Sequence, residues 1–201
     1  MIKNNSGLIP YVIEKEANGE RSYDLYSRML EDRIVFISGE VGASMETIAA
    51  EIMYLDSLDK EKPIFLYINS PGGSVVDGEV LLNVMDACSA PIYTICTGMA
   101  ASMGAVIFSN GTKGHRYMMP MSDIMMHQVS SGTEGNIQDQ RIELQYTEAL
   151  NERLMRKLAK NCGKTYQQIL KDTTRDCWLS PEEAVEYGIA DAIFDPKKIE
   201  V

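Results

Sequence analysis

Ser102 lies where residue types and spacing point most directly to chemistry. It belongs to Gly-Met-Ala-Ala-Ser-Met-Gly at residues 98–104, after the β-branched run 92–97 and before the apolar residues 105–108. This order predicts a strand, a sharp turn and a helix, although Ala100 replaces the first glycine of a G-x-S-x-G elbow. Unpaired N–H groups at the helix start would stabilise an oxyanion beside the hydroxyl. The alternative is a serine that caps a packed helix.

A serine nucleophile needs a base, and histidine is the usual one because its pKa lies near neutrality. The chain has two histidines, His115 and His127. His115 lies in a glycine-containing basic turn, so we expect it to be a solvated loop residue. His127 directly follows the apolar strand candidate 123–126, and a histidine at a strand end can face a cleft. The alternative for His127 is a hydrogen-bonded core histidine.

The imidazole in turn needs a carboxylate that holds one tautomer and stabilises the cation. Asp172 and Asp176 are candidates, and Asp191 is a less favoured one. Asp176 precedes an apolar pair, which suggests a side chain that turns toward the core. The residues by themselves leave the choice open.

The surrounding pattern predicts how these residues are positioned. Strand patterns at 33–38, 63–69 and 92–97 alternate with helical patterns at 44–59 and 75–87. This alternation predicts an α/β fold with a mostly parallel sheet, in which ligands gather at the carboxyl ends of the strands. Because Gly72-Gly73 and Ser102 both follow strands, we expect them at one cleft. The predicted buried face of the second helix consists of Val76, Val80, Val84 and Ala87.

Two further segments have distinctive patterns. A helix is predicted from about residue 136 to residue 160, and at 1.5 Å per residue it would span roughly 35–40 Å. That length exceeds a small core, so part of the helix should pack on another subunit; the alternative is a surface helix of the same domain. Residues 1–20 suggest a mobile arm or hairpin, and residues 21–26 a turn or short helix. The apolar positions of the long helix are Ile142, Tyr146, Leu150, Leu154 and Leu158.

Composition narrows the function class. The 201 residues carry a formal charge of −10, which argues against a nucleic-acid binder. The four cysteines lack metal-binding spacing, so we expect reduced thiols and no structural metal. With neither a signal-peptide core nor a run that would span a bilayer, the expected location is the cytoplasm and no membrane partner is expected.

Several ordered motifs together resemble the ClpP peptidases, the proteolytic subunits of the Clp ATP-dependent protease. The resemblance covers nearly the whole chain from about Gly7, and its motifs keep the family's order and spacing. The motifs are Glu-Arg-Ser-Tyr-Asp-Leu-Tyr-Ser-Arg at 20–28, Tyr-Ile-Asn-Ser-Pro-Gly-Gly at 67–73, the Ser102 segment at 98–104, Met-His-Gln at 126–128 and Ala-Val-Glu-Tyr-Gly-Ile-Ala-Asp at 184–191.

For the site, the resemblance implies Ser102 as nucleophile, His127 as base and Asp176 as the orienting carboxylate. It implies the backbone N–H groups of Gly73 and Met103 as the oxyanion hole. The activity would be that of a serine endopeptidase that hydrolyses unfolded polypeptides to short peptides through an acyl-enzyme, in protein quality control. Neither a cofactor nor a metal takes part.

For the architecture, the resemblance implies a crotonase-like βαβ spiral with a long protruding helix. Residues 1–20 would form an N-terminal arm that lines an axial pore, and residues 21–201 a single peptidase domain. Residues 128–161 would be a handle that joins two stacked heptameric rings into a tetradecamer. An AAA+ unfoldase would deliver substrate, docking in an apolar groove formed by Phe65, Tyr67, Ile95, Tyr117 and Met119.

Departures from the family pattern define an alternative. Val-Ser-Ser-Gly at 129–132 replaces the usual proline and glycine pair, and Thr174 stands where the family usually has an acidic residue. In the groove, Ala87 and Thr97 replace larger apolar groups. The alternative is a structural or regulatory isoform, inactive alone and active only in mixed rings. An acyl-CoA hydratase or isomerase of the same superfold would not explain the serine, histidine and aspartate.

Overall fold

The computed structural model describes residues 9–16, 19–195 and 197. Within these residues, the strands are Tyr11–Glu16 (β1), Gly19–Asp24 (β2), Ile34–Ser38 (β3), Ile64–Ser70 (β4), Ile92–Ala101 (β5), Arg116–Met118 (β6), Asp123–Met126 (β7), Cys177–Leu179 (β8) and Ala192–Ile193 (β9). The helices are Leu25–Glu31 (α1), Ser44–Leu58 (α2), Val75–Ala87 (α3), Met103–Ser109 (α4), Ile137–Cys162 (α5), Tyr166–Asp172 (α6) and Pro181–Tyr187 (α7).

The central sheet has the order β3-β4-β5-β6-β9, and β7 pairs with β5 and β8. Every pairing in it is parallel except the antiparallel pair β7–β8. The predicted α/β fold with a mostly parallel sheet is therefore confirmed. The strand β5 is long enough to pair with β6 along its first half and with β7 along its second half. It thereby carries the chain into the Ser102 turn.

The main core lies between the sheet and the helices, and it contains apolar residues of β3, β4, β5, α2 and α4. The predicted face of α3 is wrong. Val76, Val80 and Ala87 are exposed and Val84 is only half-buried, whereas Gly78, Leu81, Leu82 and Met85 are buried. Several faces of this helix are apolar, so spacing alone did not identify the face that packs on α2 and α4.

The N-terminal segment forms a β-hairpin in its described part. Strand β1 pairs antiparallel with β2, from Tyr11 opposite Asp24 to Glu16 opposite Gly19. The turn or short helix expected at residues 21–26 is therefore wrong as far as Asp24, because these residues extend the hairpin. Arg28 of α1 forms an ion pair with Glu14 and so joins hairpin and helix. Residues 1–8, 17 and 18 of the predicted arm lie outside the described residues.

Helix α5 runs for 26 residues, as its pattern predicted. Its C-terminal half is anchored in the core by Leu150, Leu154 and Leu158, but Ile142 and Tyr146 in its first half are exposed. Three of the five residues of the predicted apolar stripe therefore pack on this subunit. The role of residues 128–161 as a ring-joining handle stays a prediction. Among the described residues, no helix is both long and apolar enough to span a bilayer.

Candidate active site

Ser102 lies on a strained turn between β5 and α4. Its backbone angles are φ 55° and ψ −122°, a conformation that residues other than glycine rarely adopt. Its N–H donates to the Met125 carbonyl at 2.8 Å. Although Ser102 occupies the N-cap position of α4, its hydroxyl makes no capping hydrogen bond. The helix-cap alternative is therefore excluded, and the hydroxyl is free to point elsewhere.

That hydroxyl faces His127. The Nε2 atom of His127 lies 2.8 Å from Ser102 Oγ. The sheet explains why, since Ala101 pairs with Met125 in the β5–β7 register and both strands end at the same edge. Ser102 and His127 thus follow neighbouring parallel strands, as the sequence predicted for residues at a shared cleft. His127 is half-buried there, not enclosed in the core.

Asp176 is the carboxylate nearest to the other imidazole nitrogen. Its Oδ1 lies 3.6 Å from His127 Nδ1, which is an ion-pair distance and longer than a hydrogen bond. The Asp176 side chain is 62% exposed. It immediately precedes β8, whose Cys177 pairs with Met126 next to His127. The short antiparallel pair β7–β8 therefore brings the carboxylate to the histidine.

The other two carboxylates considered in the sequence have structural partners. Asp172 accepts hydrogen bonds from the Tyr187 hydroxyl at 2.8 Å and from the Gln168 amide at 2.6 Å. Asp191 accepts from Nη2 of the buried Arg116 at 2.7 Å and from its Nε at 2.8 Å. Burial alone would raise the pKa of Asp191, but the Arg116 guanidinium outweighs it and lowers the pKa to about 2.

The expectation for His115 is wrong. Its ring stacks on Tyr93, with centroids 3.9 Å apart and planes 3° from parallel, and its Nδ1 lies 3.0 Å from the Tyr117 hydroxyl. Because Tyr93 and Tyr117 come from neighbouring strands, the aromatic surface appears only in the folded sheet. His115 belongs to that cluster and lies apart from the Ser102 site.

The loop after β4 forms the opposite wall of the site. Gly72 has φ +94°, and a Cβ built there would lie 2.6 Å from Ser102 Cβ and 3.1 Å from the Met103 nitrogen. Only glycine lets this loop approach the turn so closely. Gly73 forms an isolated parallel β-bridge with Val41. The two hydrogen bonds of this bridge use the Gly72 carbonyl and the Ser74 N–H, so the Gly73 N–H takes no part in them. Met103 is the first residue of α4, where N–H groups lack helical partners.

The cleft beside Ser102 is lined by apolar side chains of α3, α4 and α5 and by the polar side chains of Ser102, His127 and Gln128. The sequence did not show that α4 and α5 line the cleft. It placed Leu154 in the apolar stripe of the long helix but gave no sign that this residue faces the cleft. A helical spacing shows that a residue is buried but not against which site. The lining residues are Gly73, Val75, Ser102, Met103, Val106, His127, Gln128, Val129, Ser130, Leu154 and Met155. Among the described residues, no group of three or more histidine, cysteine or acidic side chains is arranged to hold a metal.

The residues predicted for the docking groove lie together on the sheet face away from the main core. Phe65, Ile95 and Tyr117 form its buried centre, with Tyr67 and Met119 partly buried beside them. Side chains two residues apart on a strand point to the same face, and the register pairs Tyr67 with Ile95 and Ile95 with Tyr117, so these residues share one face of the sheet. That this cluster receives a partner stays a prediction.

Comparisons with known proteins agree with the geometry. Residues 17–197 match the model of the family described as Clp protease. Two curated relatives, each called "ATP-dependent Clp protease proteolytic subunit", come from Streptococcus pyogenes serotypes M5 (strain Manfredo) and M1. Each is 45% identical to this chain over 195 residues, which cover 96% of the chain and 100% of the relative. With a matching family model over most of its length and full-length relatives at this identity, the chain belongs to the Clp protease family.

Proposed function

We propose that this peptidase of the Clp protease family uses Ser102 as nucleophile, His127 as general base and Asp176 as the orienting carboxylate. The observation that carries the proposal is the 2.8 Å separation of Ser102 Oγ and His127 Nε2 at a strained turn whose hydroxyl has no capping role. A base within hydrogen-bond distance of a hydroxyl that faces a cleft is what an activated serine requires.

The reaction follows from this arrangement. His127 Nε2 accepts the proton as Ser102 Oγ attacks the peptide carbonyl, and Asp176 stabilises the imidazolium through Nδ1. The N–H groups of Gly73 and Met103 receive the developing oxyanion. His127 then protonates the leaving amine, and water hydrolyses the acyl-enzyme with the same base.

The assembly is part of the same proposal. The relatives' name includes an ATP-dependent protease, so an ATPase partner of the AAA+ class would supply unfolded polypeptide to this subunit in the cytoplasm. Two stacked heptameric rings would enclose the sites, with the exposed first half of α5 at the ring junction. The apolar cluster of Phe65, Ile95 and Tyr117 would receive the ATPase. The comparisons do not favour the alternative of an isoform that is inactive alone.

A fluorophosphonate probe tests the proposed nucleophile. Purified wild-type protein should be labelled on Ser102, and a peptide amide substrate should be hydrolysed at a rate that the same probe abolishes. Ser102→Ala should show neither reaction while it sediments like the wild type. Ser109→Ala is the matched control, since this buried serine does not line the cleft; its hydroxyl donates to the Val106 carbonyl and accepts from the Asn161 amide. Labelling that survives in Ser102→Ala would refute the assignment.

A further inference from the structure

Ser70 is a wholly buried serine beside the site that the proposed mechanism does not use. It is the last residue of β4 and is 0% exposed. Its Oγ accepts the Gly72 N–H at 3.1 Å. Pro71, which lies between the two, has no N–H to offer. The hydroxyl therefore holds the first turn of the loop that presents the Gly73 N–H.

The same residue also contacts the segment that presents the other N–H. A Cβ built on Gly104 would lie 3.2 Å from the Ser70 carbonyl oxygen and 3.3 Å from Ser70 Cβ. Ser70 also pairs with Ala100 across β4 and β5, after an irregularity in the register that lengthens β5. The start of α4 thus rests directly on Ser70. One residue contacts both arms of the predicted oxyanion hole.

On the side of the active-site turn, the loop is held by the bond to Ser70 and by the close approach of Gly72 to Ser102. Gly72 and Gly73 have φ values of +94° and +148°. Because glycine has no Cβ, the backbone here can leave these conformations easily when it is not tethered. On the far side, Val41 bonds to the Gly72 carbonyl and the Ser74 N–H, each at 2.8 Å. On the near side, the bond from Gly72 to Ser70 ties the loop to the sheet. A defect in this bond would let the Gly73 N–H drift from the position of the oxyanion.

We propose that Ser70 is a positioning residue that sets the separation of the Gly73 and Met103 N–H donors. This inference rests on the proposed function, because it assumes that these donors receive an oxyanion from Ser102 chemistry. Donors of this kind work only when they are aimed at the charge that develops in the transition state. These donors contribute far less to binding of the substrate in its ground state. Loss of the Ser70 hydroxyl should therefore lower kcat and leave KM nearly unchanged.

The test compares Ser70→Ala with wild type in the assembled full-length protein. The readouts are kcat and KM on a peptide amide, and the inhibition constant of a peptide aldehyde, whose tetrahedral adduct places an oxygen in the hole. We expect kcat to fall roughly 10- to 100-fold, somewhat less than for removal of a donor. The inhibition constant of the aldehyde should rise by a similar factor, and KM should stay within about twofold of the wild-type value. Values of kcat and aldehyde affinity within twofold of wild type would overturn the proposal, as would a change confined to KM.

Ser122→Ala is the matched control. Ser122 is also buried, and its hydroxyl donates to the Met119 carbonyl at 2.8 Å, outside the cleft. An equal loss of kcat in this control would show a general packing effect and overturn the inference. If Ser70→Ala does not assemble, Gly104→Ala perturbs the same contact from the α4 side and should give the same split between kcat and KM; unchanged kcat there would count against Ser70.

Wild-type protein without Ser102-dependent hydrolysis would overturn the proposed function together with this inference. Active wild type with an unaffected Ser70→Ala would overturn the inference alone.

Discussion

The hydroxyl oxygen of Ser102 lies 2.8 Å from Nε2 of His127, although 25 residues separate them in the chain. Both residues follow parallel strands that end at one edge of the sheet, with Ala101 opposite Met125 in the register. The pair is held by backbone geometry: the Ser102 N–H bonds to the Met125 carbonyl two residues before His127. The contact between Ser102 and His127 is therefore built into the sheet, whereas Asp176 lies just before the short strand β8.

The first prediction concerns Asp176. Replacing Asp176 with Asn should leave Ser102 and His127 in contact but remove the charge that stabilises the imidazolium and selects the tautomer. We expect kcat to fall by a factor on the order of 10⁴, as for the orienting carboxylate of other triads. Steady-state hydrolysis of a peptide amide measures it. Asp172→Asn is the comparison, because Asp172 bonds to Tyr187 and Gln168, and it should retain kcat within about tenfold. The reverse order of the two variants would contradict the assignment of Asp176.

The second prediction concerns the approach of the glycine loop to Ser102. A Cβ at Gly72 would lie 2.6 Å from Ser102 Cβ and 2.7 Å from the Ala101 carbonyl oxygen, so Gly72→Ala should displace the turn. We expect the rate of fluorophosphonate labelling to fall at least about 100-fold, because a misplaced reacting atom costs that much.

Gly114→Ala separates this contact from backbone strain. Gly114 has a φ of +91°, close to that of Gly72, but a Cβ there meets nothing within 4 Å. Gly114→Ala should lower the unfolding free energy by about 1 kcal/mol and leave labelling unchanged. Equal labelling rates in the two variants would show that the contact with Ser102 does not matter.

The third prediction separates structural from catalytic carboxylates. The pair of Arg116 and Asp191 is nearly buried, with side chains 1% and 11% exposed, so Asp191→Asn leaves the guanidinium without its counter-charge. We expect a loss of about 3 kcal/mol in unfolding free energy. Urea unfolding near neutral pH measures it, and fluorophosphonate labelling of the folded fraction should persist. A stable variant that has lost labelling would contradict a purely structural role.

The ion pair of Arg116 and Asp191 should also make the stability of the protein depend on pH. The pKa of Asp191 is lowered to about 2, below its ordinary value of about 3.9. A lowered pKa in the folded state stabilises the fold above the ordinary value, and this contribution disappears as the pH falls through the folded value. The difference in stability between wild type and Asp191→Asn should therefore shrink between about pH 4 and pH 2. A difference that stays constant over that range would contradict the ion pair as its cause.

The fourth prediction uses the two halves of α5. Ile142 is 66% exposed, whereas Leu158 is 1% exposed. Ile142→Ala should change the unfolding free energy of the dissociated subunit by less than about 0.5 kcal/mol but shift sedimentation toward smaller assemblies. Leu158→Ala should lower the unfolding free energy by about 3 kcal/mol through the cavity it leaves. Unaltered sedimentation of Ile142→Ala at low protein concentration would contradict a role of the first half of α5 in assembly.

The sequence by itself determined the fold class and the main helices and strands, and it singled out Ser102 and His127 as candidates for one cleft. Continuous apolar strands that alternate with helices admit few arrangements other than a covered parallel sheet, and residues after its strands share one edge. Even the bounds of α3 and α7 agree with the local pattern, the latter because Ser180 and Pro181 form a strong helix start. Local patterns are informative where local energies decide the conformation.

The residues alone left the choice between the three aspartates open and the family resemblance implied Asp176, but only the tertiary structure shows which partner each aspartate meets. Asp191, for example, is paired with Arg116, which lies on a strand 75 residues earlier in the chain. The same holds for the buried face of α3, the stacking of His115 on Tyr93 and the contact of Ser70 with both arms of the site. Each of these contacts depends on which surfaces meet across the sheet. Packing between segments that are distant in the chain produces no periodic pattern of residues from which it could be predicted.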